Sequence, residues 1–204
     1  MSRIVVIAAG IGNVGSVQNM LRRMDCEVEL TDDPARVLAA DKLILPGVGA
    51  FDAGMAALAA RGLDEAVHRA VTENGARLLG ICLGMHLLLE KSMEGNSPGL
   101  GLVPGRARQF VPDGARVRVP HMGWNVVRPT RDSVLLDHHG EEQRFYFVHS
   151  YFAECTDPAD AAGLTSHGDD FVSVLERGQV FGVQFHAEKS HRFGMALLRR
   201  FAEF

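Results

Sequence analysis

Three times within its first part the chain runs through a short, unbroken apolar segment, ends it at glycine, and resumes with apolar residues at helical spacing. Ile4-Val5-Val6-Ile7-Ala8-Ala9 reaches Gly10-Ile11-Gly12-Asn13, after which Val14, Val17, Met20, Leu21 and Met24 recur with the period of an amphipathic helix. Leu43-Ile44-Leu45 ends at Pro46-Gly47-Val48-Gly49 and is followed by helical candidates around Gly54 to Arg61 and Leu63 to Thr72. Leu78-Leu79-Gly80-Ile81 passes straight into Cys82-Leu83-Gly84 and an apolar helix predicted over Met85 to Glu90. Strands without polar alternation are buried on both faces, as in a parallel sheet covered by helices.

The pattern predicts an α/β fold: an open, mostly parallel sheet flanked by helices on both faces, with functional groups at the carboxyl ends of its strands. Residues 97 to 129 are richer in Gly, Pro and Arg and read as a smaller region of short antiparallel strands and loops in the middle. Phe145-Tyr146-Phe147-Val148 and Val180-Phe181-Gly182-Val183-Gln184-Phe185 read as two more buried strands, and Phe193 to Phe204 as a closing helix. At 204 residues the whole chain, 1–204, is expected to form one domain.

Several classes of function are disfavoured. A net charge of −4 gives no electrostatic reason to expect a nucleic-acid partner. The apolar start is too short for a membrane span and no cleavable signal pattern follows it, so no membrane association is expected and the compartment is read as the cytoplasm. Cys26, Cys82 and Cys155 are widely spaced and form no C-x-x-C pattern, which points to reduced thiols. His138-His139 and the other histidines lack ligand spacing with Cys or carboxylates, so neither metal nor cofactor is expected. Arg106, Arg108, Arg116 and Arg118 form a basic stretch that reads as a solvated face or a partner contact.

The strongest motif is Gly80-Ile81-Cys82-Leu83-Gly84, the thiol analogue of the G-x-S-x-G nucleophile elbow. A nucleophile projecting from a sharp strand-to-helix turn needs neighbours without Cβ atoms, and N–H groups at the start of a helix favour a thiolate there. The plainer reading is a buried cysteine between packing glycines. Phe185-His186-Ala187-Glu188 follows the last buried strand and would emerge at the same sheet edge, supplying the base and orienting carboxylate that a cysteine nucleophile lacks. An isolated H-x-E is equally compatible with surface decoration. Val48 and Gly49, with Leu83, could turn backbone N–H groups toward a developing oxyanion; an ordinary glycine turn would look the same. Gly10-Ile11-Gly12-Asn13-Val14-Gly15, with Glu29 downstream, also matches the dinucleotide fingerprint, but that reading leaves Cys82, His186 and Glu188 without a role.

With these residues laid out, the chain resembles the class I glutamine amidotransferases, whose sheet is flavodoxin-like, and within them the glutaminase subunits of imidazole glycerol phosphate synthase. The resemblance rests on Leu45 to Phe51, Gly80 to Met85, Pro120-His121-Met122-Gly123-Trp124-Asn125, Tyr146 to Tyr151 and Gln184 to Ser190. It implies a Cys82-His186-Glu188 triad that hydrolyses L-glutamine through a thioester, and a (β/α)8-barrel synthase as heterodimer partner that receives the ammonia for histidine biosynthesis. It also implies a glutamine pocket drawn from Gly47, His86, Glu94, Tyr146, His149, Ser150 and Tyr151, and a partner-facing edge at Asn13, His121 to Asn125, and Lys189. Hydrolysis in such subunits is slow until the partner binds its own ligand. The match departs where the family usually carries Gln and this chain has His86, where Ala187 replaces Pro, and where Ala8-Ala9-Gly10 replaces Asp-Tyr-Gly. Two other readings follow the same residues: the glutaminase could feed a sugar-amidating synthase of surface polysaccharides, or the subunit could be a non-catalytic binding protein. A cysteine peptidase on a similar fold would give His121 through Asn125 no role.

Overall fold

A computed structural model describes residues 3–114, 116–138 and 140–204; the second histidine of His138-His139 lies outside the described residues. In chain order the elements are β1 (Ile4–Ile7), α1 (Val14–Arg22), β2 (Val28–Thr31), α2 (Pro34–Leu38), β3 (Lys42–Gly47), α3 (Phe51–Ala59), α4 (Leu63–Thr72), β4 (Arg77–Cys82), α5 (Leu83–Leu87) and β5 (Leu89–Ser92). The second half adds β6 (Val103–Gln109), β7 (His121–Pro129), β8 (Gln143–His149), β9 (Tyr151–Cys155), β10 (Ala161–His167), β11 (Asp169–Arg177), β12 (Val180–Val183) and α6 (His191–Glu203).

The strands order as β2-β1-β3-β4-β12-β11-β10-β7-β8. From β2 to β12 every neighbouring pair is parallel. From β12 to β8 every pair is antiparallel. Strands β5, β6 and β9 form a branch that joins at β11. The antiparallel region thus extends well past residue 129, to Arg177.

Alternation along the apolar runs divides the core. Ile4, Val6, Ile44, Leu79 and Ile81 face Val17 and Leu21 of α1 and Leu197, Leu198 and Phe201 of α6. Val5, Ile7, Leu43, Leu45 and Leu78 face Val37, Met55, Leu58, Leu63 and Val67 on α2 to α4. Each such side chain, withdrawn fully from water, stabilises the fold by roughly 1.5–3 kcal/mol. Both faces are therefore helix-covered, as the unbroken apolar strands require. Among the described residues no helix is long and apolar enough to cross a membrane.

Two segments differ from expectation. The helix after Cys82 ends at Leu87, and Leu89–Ser92 becomes a strand beside β6; an apolar run such as Leu87-Leu88-Leu89 suits either a buried helix or a buried strand. Strand β8 is not buried on both faces, because Phe145 and Phe147 point inward while Tyr146 and Val148 are half-exposed. That alternation belongs to an antiparallel strand with one covered face.

Candidate active site

Three adjacent parallel strands place the central residues. Gly47 at the end of β3 is in register with Cys82 at the end of β4, and Ile81 of β4 with Val183 of β12. Val48, Cys82 and the segment reaching His186 therefore leave the sheet at one edge, where open parallel sheets carry their sites.

Cys82 has φ 55° and ψ −112°, outside the conformations an ordinary residue adopts. The tight strand-to-helix turn holds it there. A Cβ on Gly80 would sit 2.6 Å from the Gly84 carbonyl oxygen, and one on Gly84 would collide with the Leu45 carbonyl. Both glycines of the motif are thus fixed by close backbone approach, as the elbow reading expects.

His186 is 2% exposed, and its Nδ1 lies 2.8 Å from Glu188 Oε1. That leaves Nε2 to face Cys82, whose sulfur is among the groups that act on its charge. Burial alone would lower the pKa of His186, but the Cys82 thiol and the Glu188 carboxylate outweigh it and raise the value to about 9. The loop is clamped by β8: the His186 N–H donates to the Tyr146 carbonyl, and the buried Ser190 hydroxyl donates to the His186 carbonyl while accepting from the Tyr146 N–H. These bonds, rather than a proline ring, fix the loop at His186, and Ala187–Lys189 forms a single 3-10 turn with Ala187 fully buried.

Beside the triad lies a cavity of about 350 Å³, lined by Val48, Gly49, Cys82, Leu83, His86, Glu94, Val148, His149, Ser150, Tyr151, His186 and Lys189. Five of the residues expected to bind substrate line it. Gly47 and Tyr146 do not: a Cβ on Gly47 would meet the Gly84 nitrogen at 2.7 Å, so this glycine packs beneath the elbow, and Tyr146 acts through its backbone on the His186 loop. Glu94 is held against α3, accepting from the Phe51 N–H at 2.9 Å. His86 is buried, with Nε2 2.8 Å from Gln184 Oε1. Burial lowers its pKa, partly offset by that bond.

The oxyanion candidates stand in two states. Leu83 opens α5 directly behind Cys82, and Gly49, at φ +103°, takes a turn that a side chain would strain. The Val48 N–H, however, donates to the carbonyl of Ile11. The glycine loop after β1 thus packs on the Pro46–Val48 segment, where a Cβ on Gly12 would lie 2.7 Å from the Pro46 oxygen. That close packing accounts for Gly12, and Glu29 is engaged by Arg3 and Arg36, so the nucleotide reading gains nothing from either.

Of the edge residues, Met122 and Trp124 are exposed (62% and 44%), as are Asn13 and Lys189, while Gly123 is half-buried. His121 departs from the expected exposed edge: it is buried, because alternation along β7 turns it inward against His149. Asn125 is half-buried and bonded to His121 and to the Ser166 carbonyl. Sequence reasoning gave no role to Ile11, Gln184 or Ser190, although all three lie in segments it singled out, because the partner of each is set by the fold. Among the described residues no group of three or more His, Cys, Asp or Glu is placed to hold a metal ion.

A strand-end cysteine and a His-Glu pair thus meet on a mixed, helix-covered sheet, and residues 5–203 match the family Glutamine amidotransferase class-I; the chain belongs to that family. Relatives within it include imidazole glycerol phosphate synthase subunits. Subunit HisH of Symbiobacterium thermophilum is 48% identical over 199 residues, covering 97% of this chain and 92% of that one. Subunit HisH 2 of Methanococcus maripaludis is 43% identical over 198 residues, covering 97% and 98%. The fold alone is shared with PurLQS from Thermotoga maritima, at 19% identity and a TM-score of 0.74, covering 100% and 99%.

Proposed function

We propose that this chain is the cytoplasmic glutaminase subunit of an imidazole glycerol phosphate synthase, hydrolysing L-glutamine and passing ammonia to a (β/α)8-barrel synthase subunit in histidine biosynthesis. The observation that carries the chemistry is Cys82 on its strained elbow, joined to the buried His186–Glu188 pair at the mouth of a cavity of substrate size.

The reaction follows from that arrangement. The Cys82 thiol passes its proton to His186 as its sulfur attacks the carboxamide carbon, and the oxyanion that forms is met by the Leu83 N–H. His186, whose raised pKa keeps a proton on it at neutral pH, gives that proton to the departing nitrogen and releases ammonia. The thioester is then attacked by water, from which His186 takes a proton, and glutamate leaves with the thiol restored. Glu188 holds the imidazole through Nδ1, so that Nε2 faces sulfur and substrate throughout.

The Val48 bond to Ile11 explains why the isolated subunit would be slow. While its N–H is occupied, the oxyanion lacks one donor, and the loss of one such donor costs about 10²–10³ in rate. Val48 is itself exposed on the same rim as Asn13 and Lys189. A partner that seats on this rim and on Met122, Gly123, Trp124 and Asn125 could break that bond in favour of substrate.

The test is glutamate release by wild type and Cys82→Ala, alone and with the barrel subunit and its nucleotide ligand. Slow basal activity, strong stimulation in the complex, and a loss on the order of a thousandfold or more in Cys82→Ala are expected. Rapid turnover by the lone chain would refute the Val48 block. A Cys82→Ala variant as active as wild type would refute the reading itself.

A further inference from the structure

Opposite the triad, the pocket wall is built on a buried chain of polar side chains that the thioester chemistry does not use. His121 and His149 are direct cross-strand partners on β7 and β8, 5% and 7% exposed. His149 Nδ1 lies 2.8 Å from the Tyr151 carbonyl oxygen, and His149 Nε2 lies 2.9 Å from His121 Nδ1. His121 Nε2 lies 3.1 Å from Asn125 Nδ2. The Asn125 amide is oriented from outside the chain, since its Oδ1 accepts from the Val126 N–H and its Nδ2 also donates to the Ser166 carbonyl.

Only one arrangement of protons satisfies all these contacts. A carbonyl oxygen can only accept, so His149 carries its proton on Nδ1 and presents a bare Nε2. His121 must then donate from Nδ1 and accept at Nε2, which is where the Asn125 amide donates. Both imidazoles are neutral, and the chain has a direction, from β7 through β8 to the Tyr151 carbonyl. A second proton on His149 would set two N–H groups against each other.

The surroundings favour the neutral forms. Phe110 and Phe171 lie 5.4 and 5.2 Å from the His149 ring, and Phe147 lies 4.8 Å from His121. Among the described residues the ionisable groups that act on the pair are the half-buried His167 of β10, whose ring is 4.3 Å from His121, and His86 of α5. Neither is an acid that could stabilise an imidazolium.

From this geometry we infer that His121 is a positioning residue for glutamine: through His149 it fixes the Tyr151 carbonyl and so the His149–Tyr151 wall of the pocket. The inference rests on the glutaminase reading. Asn125 and His121 alternate along β7 with the exposed Met122 and Trp124, so the same strand offers one face to a partner and holds the substrate wall with the other.

Two substitutions separate this role from simple packing. His121→Asn keeps an N–H donor close to the place of Nδ1, whereas His121→Gln puts its amide near the place of Nε2 and cannot satisfy His149. The assay is glutamine hydrolysis by the full chain with its synthase partner. His121→Gln should raise KM for glutamine about tenfold, as expected for one lost buried hydrogen bond, with kcat within about twofold of wild type. His121→Asn should restore KM. Nitrogen NMR of the wild-type chain should independently show both rings as Nδ1–H neutral tautomers from pH 8 to 5.5. Equal KM in all three proteins, with wild type active, would overturn the inference alone, as would an Nε2–H tautomer or titration of either ring near 6.5. A wild-type complex that does not hydrolyse glutamine would overturn the inference together with the functional reading.

Discussion

Histidines bracket the cavity in two places, at the end of β12 and across β7 and β8, and burial acts on them alike while their charge comes out opposite. His186, 2% exposed, has its pKa raised to about 9. His121, at 5%, is pushed down to about 4 by burial and by the neighbouring His167, and His149, at 7%, is pushed well below its usual value by burial, only partly offset by the Tyr151 carbonyl. Burial opposes the imidazolium in every case. The sign is decided by the partner: His186 has a carboxylate and a thiol, whereas His121 and His149 have each other, an amide and a carbonyl. The same residue type is thus held protonated at one wall and neutral at the other.

The largest effect should come from converting the first environment toward the second. Glu188→Gln keeps the shape and the Nδ1 contact but removes the charge. Activity should fall on the order of 10²–10⁴-fold, as when the acid of a comparable triad is neutralised. The wild-type alkaline limb, expected near pH 9 where His186 loses its proton, should move toward neutral pH in the variant. The linked stability has the same sign. A raised folded pKa stabilises the protein fully below the unfolded value near 6.5, and that contribution disappears as pH rises through about 9. An unmoved alkaline limb in Glu188→Gln would mean that the carboxylate is not what keeps His186 protonated.

The second environment predicts the opposite dependence, with a smaller magnitude. His86, His121 and His149 are depressed in the fold, so the unfolded chain binds protons first and stability is lost as pH falls from about 6.5. For His121 alone the shift from 6.5 to about 4 corresponds to about 3 kcal/mol. Glu29, Asp52, Glu154 and Asp170 also have lowered values, but their loss begins lower, near the ordinary carboxylate range. Thermal unfolding followed from pH 7 to 4.5 should therefore show a falling melting temperature before any carboxylate contribution. A flat profile across that interval would break the comparison.

How much of this was legible beforehand follows the range of the interactions. Cys82 was readable because the glycines that permit its turn lie two residues away on either side. His186 and Glu188 were readable because a single strand end carries both. The parallel half announced itself through unbroken runs such as Ile4 to Ala9, whose burial on both faces leaves no other pattern. Strands β9 to β11 did not: Tyr151–Cys155 and Asp169–Arg177 mix charged and apolar residues, and their pairing is set by partners rather than by a local period. For the same reason the family resemblance put His121 on the partner-facing edge. Its inward direction depends on the β7–β8 register, and its neutral state on a bond to a residue 28 positions away. The Val48–Ile11 contact joins two separate strand ends and has no signature in either.

The smallest expected effect tests whether His86 belongs with the fixed histidines or with the titrating one. It stands where the family usually carries Gln, and an exposed imidazole there would make glutamine binding pH-dependent. The structure buries it instead, bonded to Gln184, whose Nε2 is buried without a hydrogen-bond partner among the described residues. Burial lowers its pKa, and among the described residues the Gln184 amide, not a carboxylate, is the group that offsets this in part. His86→Gln should therefore change KM for glutamine by no more than about threefold, the scale of a single neutral hydrogen bond exchanged for another. The dependence of KM on pH between 6 and 8 should be the same in variant and wild type. If the substitution instead abolishes an acid limb in KM near 6.5, His86 titrates in the working range, and burial without a carboxylate is not sufficient to hold a pocket histidine neutral.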